Sequence, residues 1–469
     1  MKLRHIGLAS LATALAAAIV LFCVDSRSRA SADGARGKSA SNCCKGDTLR
    51  AVTMYGATSY FQYHDQPMGL DYEMLTRYAE AQGVAVDLKV AADVPMMLRM
   101  LREGEVDVIA YSVPRIAEYA QDVRFCGKQA VSHQVLVQPK YAAVKSVPDL
   151  IGKTVYVEKG SKYQYRMANL ADELGGGIGI EAVVSDTLET VDLVRMVSDG
   201  SLPMTVADSD MADICADMYG GIDVSVAVGT DQVSSWVVAG GDKQLGDRID
   251  AWSKTAEATT DYDKIREKYY RHAARSAMET PQTATADVPA ASNGVRYEEI
   301  FRQYASRIGW DWRQLAAIAY TESKFDPTAV SWAGARGLMQ LMPSTARQYA
   351  VTDMANPEQS VRGASLALAD IDKSLRKHVK DPAQRRMFVI AAYNSGLGHI
   401  LDAIALARKY GRDPGTWYGN VREMALLKTT PQYYNDPVVK HGYFRGQETV
   451  GFVDKVFGAY EQYRHSIPE

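Results

Sequence analysis

The chain has 469 residues, 47% of them hydrophobic and 23% charged, and a formal net charge of -3. That length exceeds one ordinary core and suits two or three, while the near-neutral balance supplies no basic field and excludes nucleic acid as the evident partner. Tyr outnumbers Phe 27 to 9, which suits a sugar-lined groove and a wet-edged core equally well.

Lys2, Arg4 and His5 precede an apolar run from Ile6 to Val24. A basic start followed by a short, Ala-rich apolar stretch is the layout of an export signal over residues 1–24; a permanent span would ordinarily be longer. Cys23 ends the run, where the acylated cysteine of a bacterial lipoprotein would stand, although Leu21 and Phe22 fit that signal poorly. Ala30-Ser31-Ala32 offers an ordinary cleavage site instead. Both routes lead to the cell envelope. Residues 25–47 are small and polar, the composition of a tether. The cysteines Cys23, Cys43, Cys44, Cys126 and Cys215 match no zinc-site spacing. In an oxidising compartment a Cys126–Cys215 disulfide and two buried thiols are both compatible with the sequence.

From residue 48 to 272 short β-branched runs alternate with helical stretches. Strands are predicted at Leu49–Met54, Val84–Leu88, Val106–Ala110, Thr154–Val157, Ile180–Val184 and Met204–Ala207. Helices are predicted at Asp71–Gln82, Pro95–Glu103, Tyr163–Glu173 and Thr187–Asp199. Strand–helix–strand repetition argues for a parallel, doubly wound α/β sheet. Residues 273–294, rich in Ala, Thr and Ser with two prolines, read as a linker to a second body.

Gly69-Leu70-Asp71-Tyr72-Glu73, the stretch from Leu101 through Gly104 to Asp107, Asp149 to Val155, and Gly160-Ser161 resemble the periplasmic solute-binding domains for amino acids. The resemblance covers nearly the whole first body and implies two α/β lobes around a ligand cleft. It implies Ser161, at a helix N-terminus, for a ligand carboxylate, and Asp208 for a ligand ammonium. That family's carboxylate-gripping Arg follows a Thr-x-x-Arg motif. Here the segment is Tyr111-Ser112-Val113-Pro114-Arg115, so Arg115 stands near the expected place in an altered context.

The body from 295 to 469 carries helical periodicity throughout. Helices are predicted at Tyr297–Ile308, Trp312–Ser323, Ser344–Tyr349, Val361–His378, Gln384–Tyr393, His399–Lys409 and Val450–Tyr463. The second of these has Asp311 as its cap and Gln314 three residues on, a capping-box-like pair. Its face holds Leu315, Ile318, Ala319 and then Glu322. A carboxyl on the buried side of a helix, at the negative end of the dipole, resists ionisation. A pKa raised to about 6 or 7 is what a general acid needs near neutrality.

Glu322-Ser323, then Gly334 to Pro343, then Ala392-Tyr393-Asn394-Ser395-Gly396 resemble the soluble lytic transglycosylase domain, whose fold is that of goose-type lysozyme. Glu448-Thr449 matches a further family position, where the continuation is Gly-Phe452-Val453 in place of Gly-Tyr-Val, so one groove hydroxyl is missing. The whole chain thus reads as a multidomain protein, an α/β two-lobed periplasmic-binding-protein-like domain followed by an all-α lysozyme-like domain. The tandem resembles the membrane-bound lytic murein transglycosylases.

The resemblance implies Glu322 as the single catalytic acid and base, cutting peptidoglycan glycan strands without metal or cofactor. It implies Ser323, Met339, Gln340, Tyr393, Asn394 and Glu448 as substrate-binding or site-ordering residues. It also implies association with the outer membrane, and a stem-peptide or amino-acid ligand in the first body. A lysozyme-type hydrolase of the same fold, and a solute receptor whose helical domain only grips the wall, are the alternative readings.

Overall fold

A computed structural model describes residues 48–142, 144–159, 161–183, 188–278 and 296–467. The export signal, the tether, Cys23, Cys43, Cys44, Gly160, the junction at Val184–Thr187 and residues 279–294 of the linker lie outside the described residues.

Lobe 1 begins with β1 (Thr48–Met54), a short hairpin of β2 (Phe61–Tyr63) and β3 (Gln66–Met68), α1 (Leu70–Gln82), β4 (Ala85–Ala91), α2 (Val94–Arg102) and β5 (Val108–Pro114). Strand β6 (Val123–Ser132) ends it, and β7 (Gln134–Pro139) enters lobe 2 after the single residue His133. Lobe 2 continues with β8 (Thr154–Glu158), α3 (Lys162–Glu173), β9 (Gly179–Val183), α4 (Thr190–Ser198), β10 (Thr205–Asp208), α5 (Ser209–Tyr219) and β11 (Ile222–Ala227). The chain then returns to lobe 1 as β12 (Gln232–Ala239).

The sheets run β4-β1-β5-β12-β6 and β11-β7-β10-β8-β9. Two-lobed α/β architecture is as expected, but the sheets are mixed. β1 is parallel to β4 and β5, whereas β12 is antiparallel to β5 and β6. β7 is likewise antiparallel to β10 and β11. The strands next to each crossing between lobes enter from the opposite end, and local periodicity carries no trace of that. β5 also runs past Ala110 to Pro114, so the Tyr111–Pro114 segment is strand.

Helices α6 (Lys243–Ser253) and α7 (Ala256–Met278) close the first body. α7 reaches Met278, so the first six residues expected as linker, 273–278, are helical. The composition misled because Ala and Ser there are small for packing: Ala273, Ala274, Ser276 and Ala277 are buried. Ile265 and Tyr269 of α7 join the lobe 1 core, while Ala274 and Ala277 join a lobe 2 core. Cys126 of β6 and Cys215 of α5 are buried free thiols in different lobes, which sets the disulfide reading aside.

The second body is helical: α8 (Glu298–Ile308), α9 (Trp312–Ser323), α10 (Pro343–Gln348), α11 (Pro357–Leu375), α12 (Pro382–Ser395), α13 (Leu397–Lys409), α14 (Arg422–Leu427), α15 (Pro431–Tyr434) and α16 (Gly446–Ser466). α9 is its axis, with every residue from Trp312 to Tyr320 buried. Truncating Ile318 to Ala at its middle would cost about 2–5 kcal/mol, the usual range for a fully packed aliphatic. Among the described residues no helix is long and apolar enough to cross a membrane.

The two bodies touch. Tyr443 belongs to the lobe 1 core cluster, and Trp332, Ala333 and Tyr434 pack against it. Trp332 stacks on His272 of α7 with ring centroids 3.6 Å apart.

Candidate active site

α9 starts at Asp311, whose carboxylate accepts from the Arg313 backbone N–H and binds its guanidinium. Gln314 is buried, so the pair expected as a capping box is an Asp cap held by an Arg instead. The helix ends with Lys324 and Phe325 both in the left-handed region. This abrupt stop leaves Glu322 in the last turn. Its Oε1 is buried and meets no hydrogen-bond partner among the described residues. Burial pushes the carboxyl up to about 8, and no charged neighbour contributes.

The turn from Gly334 to Pro343 is held beside that carboxyl. Gly337 has φ 80° and no room for a Cβ, which would overlap the Met354 carbonyl. Ser323 Oγ lies 3.1 Å from the Ala319 carbonyl and 2.8 Å from the Leu338 carbonyl, so it ties the helix end to the turn. Gln340, with φ 48°, donates from Nε2 to the Ala329 and Gly337 carbonyls. Met339 is buried; its N–H donates to Ser360 Oγ at 3.1 Å and its carbonyl accepts from the Tyr393 hydroxyl at 2.6 Å. The Tyr393 phenol is buried, and burial and the Glu322 charge both raise its pKa. Asn394 Oδ1 accepts from Thr449 Oγ1 at 2.7 Å, which braces α12 against α16. Glu322, Ser323, Met339, Gln340, Tyr393 and Asn394 are therefore one assembly.

Glu448 is not part of that assembly. It faces α7, with Oε1 3.6 Å from His272 Nε2 and 3.8 Å from Arg445 Nε. Phe452 is buried in α16. In the first body Ser161 caps α3, accepting from the Gln164 N–H and lying 2.6 Å from the Glu158 carbonyl. Asp208 is paired with Lys162 Nζ at 2.5 Å. Arg115 is exposed, its guanidinium over the Phe125 ring at 5.1 Å. The cleft set thus divides: Ser161 and Asp208 lie together at the α3 end of lobe 2, and Arg115 is packed on lobe 1.

The sequence did not reveal the β2–β3 turn. A recess of about 80 Å³ beside Gln340 and Tyr393 has His64 and Asp65 as its other wall. The His64 N–H donates to the Ser395 carbonyl at 3.1 Å, and Asp65 accepts from the Leu397 N–H at 3.3 Å. Further along, the Lys428 ammonium is buried between Asp402 (2.8 Å) and His399 Nδ1 (2.7 Å). Because Nδ1 must accept from the ammonium, the His399 proton sits on Nε2, which donates to the Gln62 carbonyl at 3.0 Å.

The Transglycosylase SLT domain family matches residues 299–414, and the bacterial extracellular solute-binding proteins of family 3 match residues 52–272. The membrane-bound lytic murein transglycosylase F of Stutzerimonas stutzeri (strain A1501) is 32% identical over 420 residues, 88% of this chain and 84% of that protein. The protein of that name from Desulfosudis oleivorans is 29% identical over 416 residues, 87% of this chain and 88% of that protein. Among solved structures, substrate-binding domain 2 of GlnP from Lactococcus lactis, in an open conformation, is 18% identical with a TM-score of 0.39, covering 48% of this chain and 96% of that one.

Proposed function

The chain belongs to the membrane-bound lytic murein transglycosylase F family, and from that premise we propose that Glu322 alone carries the proton transfers of peptidoglycan cleavage. The protein is a peptidoglycan lytic transglycosylase of the cell envelope, attached to a membrane. Attachment at the outer membrane is part of the same proposal. The observation that carries the role of Glu322 is a carboxyl that burial raises to about 8, which favours the protonated form at neutral pH.

Glu322 gives its proton to the oxygen linking N-acetylmuramic acid to N-acetylglucosamine, and the C1–O bond breaks. The muramyl C6 hydroxyl then attacks C1 and passes its proton to the Glu322 carboxylate. A 1,6-anhydro ring closes, no water is consumed, and the acid is restored. Ordinary glycosidases place two carboxylates around the bond; the setting of Glu322 supplies one. Tyr393 and Ser323 hold the turn against which the sugar rests. Mass spectrometry of digested sacculi tests this. Anhydro ends, lighter by one water than reducing ends, are expected; hydrated ends alone would make the protein a lysozyme.

The first body is proposed to bind an amino-acid-like or stem-peptide ligand and to alter the rate of the second. Support comes from the joint, where the β2–β3 turn forms a wall of the recess beside Tyr393. A lobe movement that shifts this turn changes access to the groove. A ligand acts on that equilibrium only through its differential affinity for the two arrangements.

A further inference from the structure

The second body is gripped by both lobes, and the two grips differ in chemistry. Lobe 1 holds it through packed rings and backbone bonds: Tyr55 lies against Gly442, and the β2–β3 hairpin lies along α12 and α13. Lobe 2 holds it through charge. Arg445, at the start of α16, sends Nη1 to Glu189 Oε2 (2.8 Å) and Nη2 to Asp192 Oδ1 (2.9 Å). The Tyr443 hydroxyl donates to the other Glu189 oxygen at 2.8 Å. Glu189 and Asp192 also form the capping box of α4, so both carboxylates serve the helix end and the guanidinium together.

We infer that the joint between lobe 2 and the catalytic body is a proton-linked latch, in which Arg445 holds three carboxylates of which one must carry a proton for the joint to close at neutral pH. The charge count drives this. One buried guanidinium faces Glu189, Asp192 and Glu448, with Glu158 behind Glu189. Among the described residues the other polar neighbours are Tyr443 and Tyr434 of the second body, Tyr219 of α5, and His272 and Ser276 of α7. None of them brings a second permanent positive charge. Fully ionised, the cluster would bury a surplus of negative charge, and removal from water penalises that heavily.

Burial accordingly pushes Glu189 up to about 7 from 4.5, against the opposing pull of Arg445, and raises Glu448 as well. A carboxyl raised on docking contributes stability that is complete below its exposed value and is lost as pH rises through the docked value. Acidity therefore closes this latch and mild alkalinity opens it. The ratio of docked to released protein is therefore expected to fall as pH rises through about 7. Arg445 stands four residues before Thr449, the partner of Asn394 in the catalytic assembly, so release acts on the element that braces the site.

The inference rests on the proposed coupling of the two bodies, but the latch itself is read without activity. Small-angle scattering of the full chain, made soluble without its export segment, is recorded from ~pH 5 to ~pH 8.5. The radius of gyration is expected to rise with pH in the wild type. Glu189→Gln keeps the shape and a donor–acceptor pair but cannot ionise, and its profile is expected to be flat and compact. Arg445→Met is expected to be extended already at ~pH 6, where the wild type is compact, and circular dichroism checks that each variant is folded. A flat wild-type profile, or one unchanged in Glu189→Gln, overturns the latch and leaves the ligand coupling standing. A pH-dependent radius that leaves glycan cleavage unaffected would instead overturn the coupling.

Discussion

Glu322 and Glu189 are both half-buried glutamates in the same chain, with carboxyls that burial raises to about 8 and about 7. They differ in company. Glu189 shares a guanidinium, a phenol and a helix end, so its proton is exchanged against partners already in place. Glu322 has an oxygen with no hydrogen-bond partner among the described residues, and burial alone sets its affinity for a proton. A partnered acid fastens structure, whereas an unpartnered one is available for chemistry.

The largest expected effect breaks the comparison at Glu322. Glu322→Gln keeps the volume and removes the acid, so sacculus digestion should fall by at least about 10²-fold while the fold persists. A folded variant that digests at near the wild-type rate would remove Glu322 from the chemistry. The same variant sharpens the comparison through stability. Glu322 has its pKa raised from 4.5 to about 8 on folding, so its favourable contribution is full below the lower value and is lost as pH rises through the upper one. The melting temperature of Glu322→Gln relative to wild type should therefore climb between those two pH values and level off above the higher. A difference that stays constant with pH would show that the carboxyl is more exposed than its surroundings indicate.

At the joint, Arg445→Met leaves Glu189, Asp192 and Glu448 without their countercharge. Loss of one partner of a buried ion pair costs about 3–5 kcal/mol, here directed at docking. Two calorimetric transitions at ~pH 6, where the wild-type joint is closed and one cooperative transition is expected, are the sign.

The smallest effect concerns the cleft. Asp208 is paired with Lys162, and that side chain is more than half exposed, a pair of the kind that contributes about 0–1 kcal/mol. Lys162→Ala should free Asp208 and tighten any ligand bearing an ammonium by less than about tenfold. Titration calorimetry with free amino acids and with stem peptides measures this. An ammonium ligand whose affinity falls in the variant would place Lys162, and not Asp208, at the ligand.

The elements that organise each body were legible because their signals are local. β1, α1 and α9 lie within a residue or two of their predicted limits, since alternation and helical period survive wherever one sequence face meets one core. The β2–β3 hairpin was not legible. Its strands have three residues each, and its turn residues His64 and Asp65 adopt positive φ without a glycine. Its partners are Ser395, Leu397 and His399, more than 300 positions away in the chain. Glu448 shows the same limit. The motif gives it a family position just before the helix predicted from Val450, and only the approach of α7 decides which groups it meets.

Gly442 gives this joint a hereditary consequence. A Cβ at that position would collide with the Tyr55 ring, just as one at Gly396 would collide with Asp65. A glycine in one half of the gene is therefore answerable to a tyrosine in the other, nearly four hundred codons upstream. The two halves cannot drift as independent modules while the joint closes. A chimera that recombines this first body with a second body bearing a side chain at 442 would inherit two sound domains and a wedge between them.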